Sequence, residues 1–426
     1  MRTRLFSVVP ALLAALGILP LLAIVLKRGV EVPYWDEWEW VDLIYAAHNH
    51  TLTFDQMWLP HNEHRILIPN LLMVGLDRIG GWGIVREQVV SLAVLALTQL
   101  FVWLIIRRTV RRDRAGICFF IATAVLLGLS QYENLQWGFQ MAWFICDLGL
   151  VGAVWALTKP HRTPRDVFVA ILFALLASLS SSQGLLVWVA GLVAIVLVPR
   201  RVIPTAIGWL TVAGVVIAIV RFGSPGEGGP GHVGFSHVAL LAHYAAIYLG
   251  APIAASRGLN RTAIAGCVLV IWLAVLAVAA MRSPLAMRVR VAPWLAIALY
   301  PVICAVITAS GRAGFGLSQA ASSRYTSIGA LAWVAAVAAT FVLVPRVRLW
   351  PLLVAVPAAI VLVASAEQDI FGNNVWHQHT VEMRDARAGL ASADPSRLKL
   401  IYPDSTRVTV LLRELATIRD GVFIKP

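Results

Sequence analysis

Residues 35–40 read Trp-Asp-Glu-Trp-Glu-Trp, three carboxyls interleaved with three indoles shortly beyond the first long apolar run of the chain. A carboxylate held at a membrane surface can take the proton of a hydroxyl as a general base, and indole rings favour the headgroup layer that would hold it there. Asp36 and Glu37 are adjacent, so their side chains leave the backbone in different directions and take unequal parts. Capping a helix and solvating a loop is the plainer use of the same two acids.

Three further clusters carry chemistry. In HNEHR, residues 61–65, His61 and His64 stand at i, i+3 and would share a helix face. With Glu63 or Asp36 they could ligate a divalent ion, with Arg65 they could grip a phosphate, or they could form a structural cluster at the interface. In SQYENLQWGFQ, residues 130–140, Glu133, Gln136 and Trp137 offer the carboxylate, amide and indole face that sugar hydroxyls and ring faces require. A plain polar hairpin is the rival reading.

In SGRAGFGLSQAASSRYTS, residues 310–327, Arg312, Arg324 and Tyr325 flank a glycine-rich turn. Guanidinium groups grip phosphate through paired charged donors, and glycine amides can add an anion nest. Arginines that anchor helix ends in headgroups look the same in sequence. His377, His379, Tyr402 and Asp404 mark the tail as a cap over these groups, with no argument for catalysis, and Asp147 reads as a buried, paired acid.

Composition restricts the scaffold that must position them. Of 426 residues, 59% are hydrophobic and 13% charged, and apolar runs long enough to cross a bilayer recur throughout. The expected fold is an all-α polytopic membrane protein with about eleven transmembrane helices. They fall at 5–26, 87–106, 115–131, 140–158, 167–181, 184–199, 203–221, 262–281, 291–309, 326–344 and 349–365. The first run is longer than a signal-peptide core and lacks a small-residue cleavage site, so it is expected to be retained.

One alternate set of loops collects seventeen Lys and Arg against two acids, Asp113 and Asp166, and is assigned to the cytoplasm. The other set is extracytoplasmic and holds all the clusters above. Its first member, about 27–86, is expected to contain a short helix at 38–47 and an interfacial helix over 66–82 anchored by Trp82. Residues 236–249 read as an amphipathic segment, and the chain divides into a membrane domain, 1–365, and an outer tail, 366–426. The net charge of +13 is accounted for by the basic loops and implies no nucleic acid. Cys118, Cys146, Cys267 and Cys304 all lie in apolar runs and read as small buried residues.

The sequence resembles the GT-C glycosyltransferases, the polyprenyl-phosphate-sugar enzymes that include the protein mannosyltransferases and the aminoarabinose transferase. The resemblance lies in WDEW at 35–38, HNEHRILIP at 61–69, GGWGIVREQ at 80–88 and ALLASLSSSQGLLVW at 174–188, within about the first 200 residues. It implies an inverting transferase of the plasma (inner) membrane, multi-pass, with its active side extracytoplasmic. Asp36 would be the base, Glu37 a secondary acid or substrate contact, and Arg65, Arg312 and Arg324 the lipid-phosphate grip. The implied partners are a polyprenyl-phosphate sugar donor, a glycan, lipid or protein acceptor, and membrane lipid. No cofactor is required, although a divalent metal stays open. The alternatives are a multi-span transporter or flippase, and a polysaccharide polymerase or ligase.

Overall fold

The computed structural model describes every residue except 1–8, 10, 11, 63, 224–230, 345–350, 391, 393 and 422–426. The chain is 84% helical, as lipid requires: a helix satisfies its own backbone polar groups where no water can. Among the described residues, nine helical stretches are long and apolar enough to cross a membrane. They are Ile84–Thr109, Arg112–Gln136, Gly138–Leu157, Val202–Arg221, Val238–Arg257, Leu259–Met281, Leu285–Phe315, Ser323–Leu343 and Leu352–Leu390.

Eight of these coincide with expected spans. The expected fifth and sixth spans are shorter apolar helices, Pro164–Ser178 of 15 residues and the stretch Ser182–Leu197. The described part of the first run forms the helix Ile18–Arg28. Cys118, Cys146 and Cys304 are buried as expected, whereas Cys267 is exposed on the outside of the bundle.

Residues 236–249 are not an amphipathic surface segment but most of the helix Val238–Ala254, which is largely buried and pairs with Leu259–Met281. A Cβ at Gly250 would run into the Thr262 carbonyl, and one at Gly266 into that of Ala246. Small residues let the two backbones touch, which is how apolar helices associate when lipid removes the hydrophobic drive.

The loops rich in Arg gather at one end of the bundle, where their guanidinium groups hold terminal carbonyls of neighbouring helices. Arg290 Nε donates to Thr109 O at 2.8 Å, Arg114 to Val344 O at 2.9 Å, and Arg162 to Leu157 O at 2.9 Å. Cations at helix C-termini meet the negative end of the helix dipole.

The acid-bearing loops gather at the other end, over a second apolar core distinct from that of the bundle. The helices Trp40–His48 and Leu67–Gly80 of the long loop face Pro395–Ile401 and Ser405–Ile418 of the tail. Trp38, Ile44, Met73, Leu398, Val408 and Leu415 fill the space between them. The tail is thus joined to the rest twice: through this core, and through the helix Val356–Leu390, which runs unbroken across position 365. Trp82 is 2% exposed inside the same core, its backbone N donating to Asp420 Oδ1 at 2.8 Å, so it is a core residue and not a membrane anchor.

Candidate functional site

A 3-10 turn, Trp35–Glu39, follows the first helix and splits the acidic pair. Asp36 keeps 28% of its side chain exposed, and its Oδ2 lies 3.5 Å from His61 Nε2. The other ring nitrogen, Nδ1, meets Glu39 Oε2 at 2.8 Å. Burial works against charge on this imidazole, but the hydrogen bonds and charges of Asp36 and Glu39 prevail and raise its pKa to about 9. His61 therefore faces Asp36 as an imidazolium at neutral pH. Asp36, Glu39 and His61 are also close enough together to share a cation.

Glu37 points the other way and is fully buried. Tyr34 N donates to its Oε2 at 2.7 Å and Phe139 N to its Oε1 at 3.3 Å. Desolvation nevertheless pushes this carboxyl up to about 8, against those N–H groups, so it is protonated at neutral pH. Behind it lies Glu87, which accepts from the Trp82 indole. The backbone of Gly138 passes so close that a Cβ there would overlap Glu87 Oε2 and stand 3.1 Å from Glu37 Oε1. The expected contact of Glu37 with substrate is corrected: it is a neutral hydrogen-bonding group between two loops. Glu37→Gln should leave transfer within about twofold of wild type and lower stability by roughly 1 kcal/mol, because the amide keeps the shape of the protonated acid but its nitrogen cannot accept from one of the two backbone N–H groups. Glu37→Ala should cost about 2 kcal/mol of stability by leaving two N–H groups unpaired. Both variants are read by thermal unfolding in detergent, and inactivity of a Gln variant that loses no more stability than this would return Glu37 to the chemistry.

The cluster at 61–65 is a hairpin, not a helix. His61 and His64 are directly opposed across a two-residue antiparallel ladder, with Asn62 at φ 51° in the turn. Glu63 lies outside the described residues. Arg65, 6% exposed, spends its guanidinium on backbone carbonyls: Nε on Val220 O at 3.0 Å, and the terminal nitrogens on Trp58 O and Phe222 O at 2.5 and 2.6 Å. Its expected phosphate role is corrected; it clamps the hairpin to the end of the helix Val202–Arg221.

Glu133, Gln136 and Trp137 do converge. With Tyr34, His379 and Glu382 they line a polar cleft of about 240 Å³ between the outer loops and the helix Val356–Leu390. Tyr34 packs edge-on against Trp137, with centroids 5.5 Å apart, and against His379 at 4.7 Å. An aromatic row continues from Trp137 to Phe139 and on to His61, so the cleft and the Asp36 carboxylate lie on either side of it. Asp36 itself does not line the cleft.

Glu133 also joins the two remaining clusters. Its Oε2 accepts from Arg324 N at 2.8 Å and Ser322 Oγ at 2.9 Å, and Asn134 donates to Arg324 O at 3.1 Å. The Arg324 side chain gives Nε to Ser322 Oγ at 3.0 Å and lies within electrostatic reach of Tyr34. Arg312 and Arg324 both act on Tyr244, which places them in one neighbourhood. Tyr325 is a core residue, stacked on Tyr248 at 5.1 Å.

Sequence reasoning missed Tyr34 and Glu382, which come together only through tertiary packing, and Glu39 stood in the acidic stretch at 35–40 without an assigned role. His379 was visible as a tail histidine but without its partner. Tyr402 lies near Glu39 and Asp36; burial first, then those carboxylates, raise its phenol. Asp404 is the N-cap of Ser405–Ile418, accepting from Thr406 N and Arg407 N. Asp147 is fully buried in the bundle, with the Ser327 hydroxyl beside its carboxyl.

The His61 contacts predict a pH dependence. Its folded pKa, about 9, lies above the unfolded value of 6.5, so its stabilisation is complete below 6.5 and lost as pH rises from there through 9. The full contribution is on the order of 3 kcal/mol. The unfolding-temperature gap between wild type and His61→Asn should therefore shrink from pH 6 to pH 9.5, and a constant gap would remove the charged pair. Comparison of the chain with family models, with curated proteins and with solved structures returns no match.

Proposed function

We propose that the chain is an inverting glycosyltransferase that moves a sugar from a polyprenyl-phosphate donor to an envelope glycan, lipid or protein acceptor at the outer face of the plasma membrane. The observation that carries this reading is the grouping of Glu133, Gln136, Trp137, Tyr34 and His379 around one polar cleft at the end of the bundle that carries Asp36. Amides, carboxylates and aromatic edges are what a sugar's hydroxyls and apolar ring face bind.

In this reading Asp36 accepts the proton of the acceptor hydroxyl as that oxygen attacks the anomeric carbon. The bond from that carbon to the phosphate oxygen breaks on the opposite face, and the lipid phosphate leaves with the electron pair. Arg324 and Arg312, at the membrane edge, offset its charge. One displacement inverts the anomeric centre, so the close carboxyl pair of a retaining hydrolase is not needed.

Asp147 favours a second reading, a transporter or flippase, because a fully buried acid inside a helix bundle is typical of a coupling site. Envelope glycans from strains with and without the gene, analysed by mass spectrometry together with the lipid-linked sugar pool, separate the two. A transferase leaves the acceptor one sugar short while its donor accumulates on the outer leaflet. Donor accumulation on the inner leaflet would replace the transferase by a flippase.

A further inference from the structure

A cluster apart from the cleft joins the tail to the first outer loop. His48 closes the helix Trp40–His48, Asp77 lies near the end of Leu67–Gly80, and Asp420 follows the helix Ser405–Ile418. His48 Nε2 stands 3.2 Å from both carboxylate oxygens of Asp77 and 3.3 Å from Asp420 Oδ2. Three acceptors thus crowd one ring nitrogen, which has at most one proton to give.

The environment sharpens the problem. The side chains of Asp77 and Asp420 are 0% and 4% exposed, and the two carboxyls lie within hydrogen-bond reach of each other, with no N–H or O–H of another described residue well aligned on Asp77 Oδ2 or Asp420 Oδ2. Asp420 Oδ1 is already engaged by Trp82 N at 2.8 Å and Gly421 N at 2.7 Å, which fixes the carboxyl with its other oxygen turned into the cluster. His48 is 34% exposed and gives the cluster a side open to water.

We propose that His48, Asp77 and Asp420 form a binding site for a divalent transition-metal ion, with zinc as the best match, that fastens the C-terminal segment onto the first outer loop. The spacing supports an ion. Nitrogen and oxygen ligands about 2.0–2.1 Å from a tetrahedral zinc stand about 3.3 Å from one another, which is the N···O separation found here. One nitrogen with two carboxylates suits zinc better than magnesium or calcium, which take oxygen shells. The fourth position opens past His48 to solvent and takes water. The cation offsets two buried carboxylates and takes the place of the proton that Asp77 and Asp420 would otherwise share. This site stands independently of the transferase reading, since neither donor nor acceptor enters it.

The full-length protein in detergent, stripped with EDTA and dialysed against zinc chloride, gives the test. Wild type should retain about one zinc per chain by plasma mass spectrometry, unfold at higher temperature with zinc than without, and show slower amide exchange around Trp82 and residues 415–421. His48→Gln and Asp420→Asn should each weaken zinc retention by at least about tenfold, while His61→Asn, in the separate Asp36 and Glu39 cluster, should retain it. Absence of zinc from wild type, or retention unchanged in both His48→Gln and Asp420→Asn, overturns the site. Should either variant fail to fold, the wild-type stoichiometry and exchange pattern decide alone.

Discussion

Asp36→Asn is expected to lower sugar transfer by about 10²- to 10⁴-fold, the range a positioned general base contributes, while the protein inserts at wild-type abundance and unfolds at a somewhat lower temperature. The amide has the size of the carboxylate and cannot take a proton. Its structural cost is a share, on the order of 1–2 kcal/mol, of the stabilisation that Asp36 and Glu39 together give the His61 imidazolium. Glu39 remains to hold the imidazole. Transfer is measured in membrane vesicles with a defined prenyl-phosphate sugar, and membrane abundance by immunoblot. Loss of transfer at normal abundance assigns the proton to Asp36; transfer within tenfold of wild type leaves the residue as a partner that orients His61. Paired with Glu37→Gln, the experiment separates two neighbouring carboxyls whose environments differ more than their sequence positions suggest.

That difference shows what a sequence conveys and what it withholds. Apolar runs of bilayer length are a local property, so the eight helices they mark appear where expected. Glu133, Gln136 and Trp137 occupy one short segment, and their type alone suggested a shared surface. The misplaced residues are those whose role depends on distant chain. His61 and His64 fit a helical spacing, but the positive φ at Asn62 turns the chain into a hairpin instead. Residues 236–249 contain two histidines and two tyrosines, which suggested a polar face; Tyr244 and Tyr248 are instead buried in a bundle that covers most of the helix. Trp82 fits a membrane anchor by type, and only the arrival of Asp420, 338 residues later, encloses it. The site at His48, Asp77 and Asp420 was illegible for the same reason: no spacing rule joins the ends of two helices in the first loop to a residue beyond the last helix of the chain.

Arg65 offers the largest expected change in stability. Its guanidinium is 6% exposed, stacked 4.8 Å from the Trp58 ring centroid, and it donates to three backbone carbonyls. Two of these, on Val220 and Phe222, belong to the C-terminal end of the helix Val202–Arg221, where carbonyls lack intrahelical partners and the dipole favours a cation. Arg65→Met fills similar volume but withdraws the charge and all three donors, and should cost about 3–5 kcal/mol. Arg65→Lys keeps the charge on a single nitrogen that cannot span the fork, so it should recover only part of the loss. Thermal unfolding in detergent reads the order wild type, Lys, Met. A phosphate-binding Arg65 predicts the opposite pattern, with unfolding unchanged in the Met variant and a raised donor requirement for transfer. The carbonyl clamp predicts instead that the fraction of Met variant that does fold transfers sugar at an unaltered donor requirement, since the guanidinium faces backbone and not the cleft.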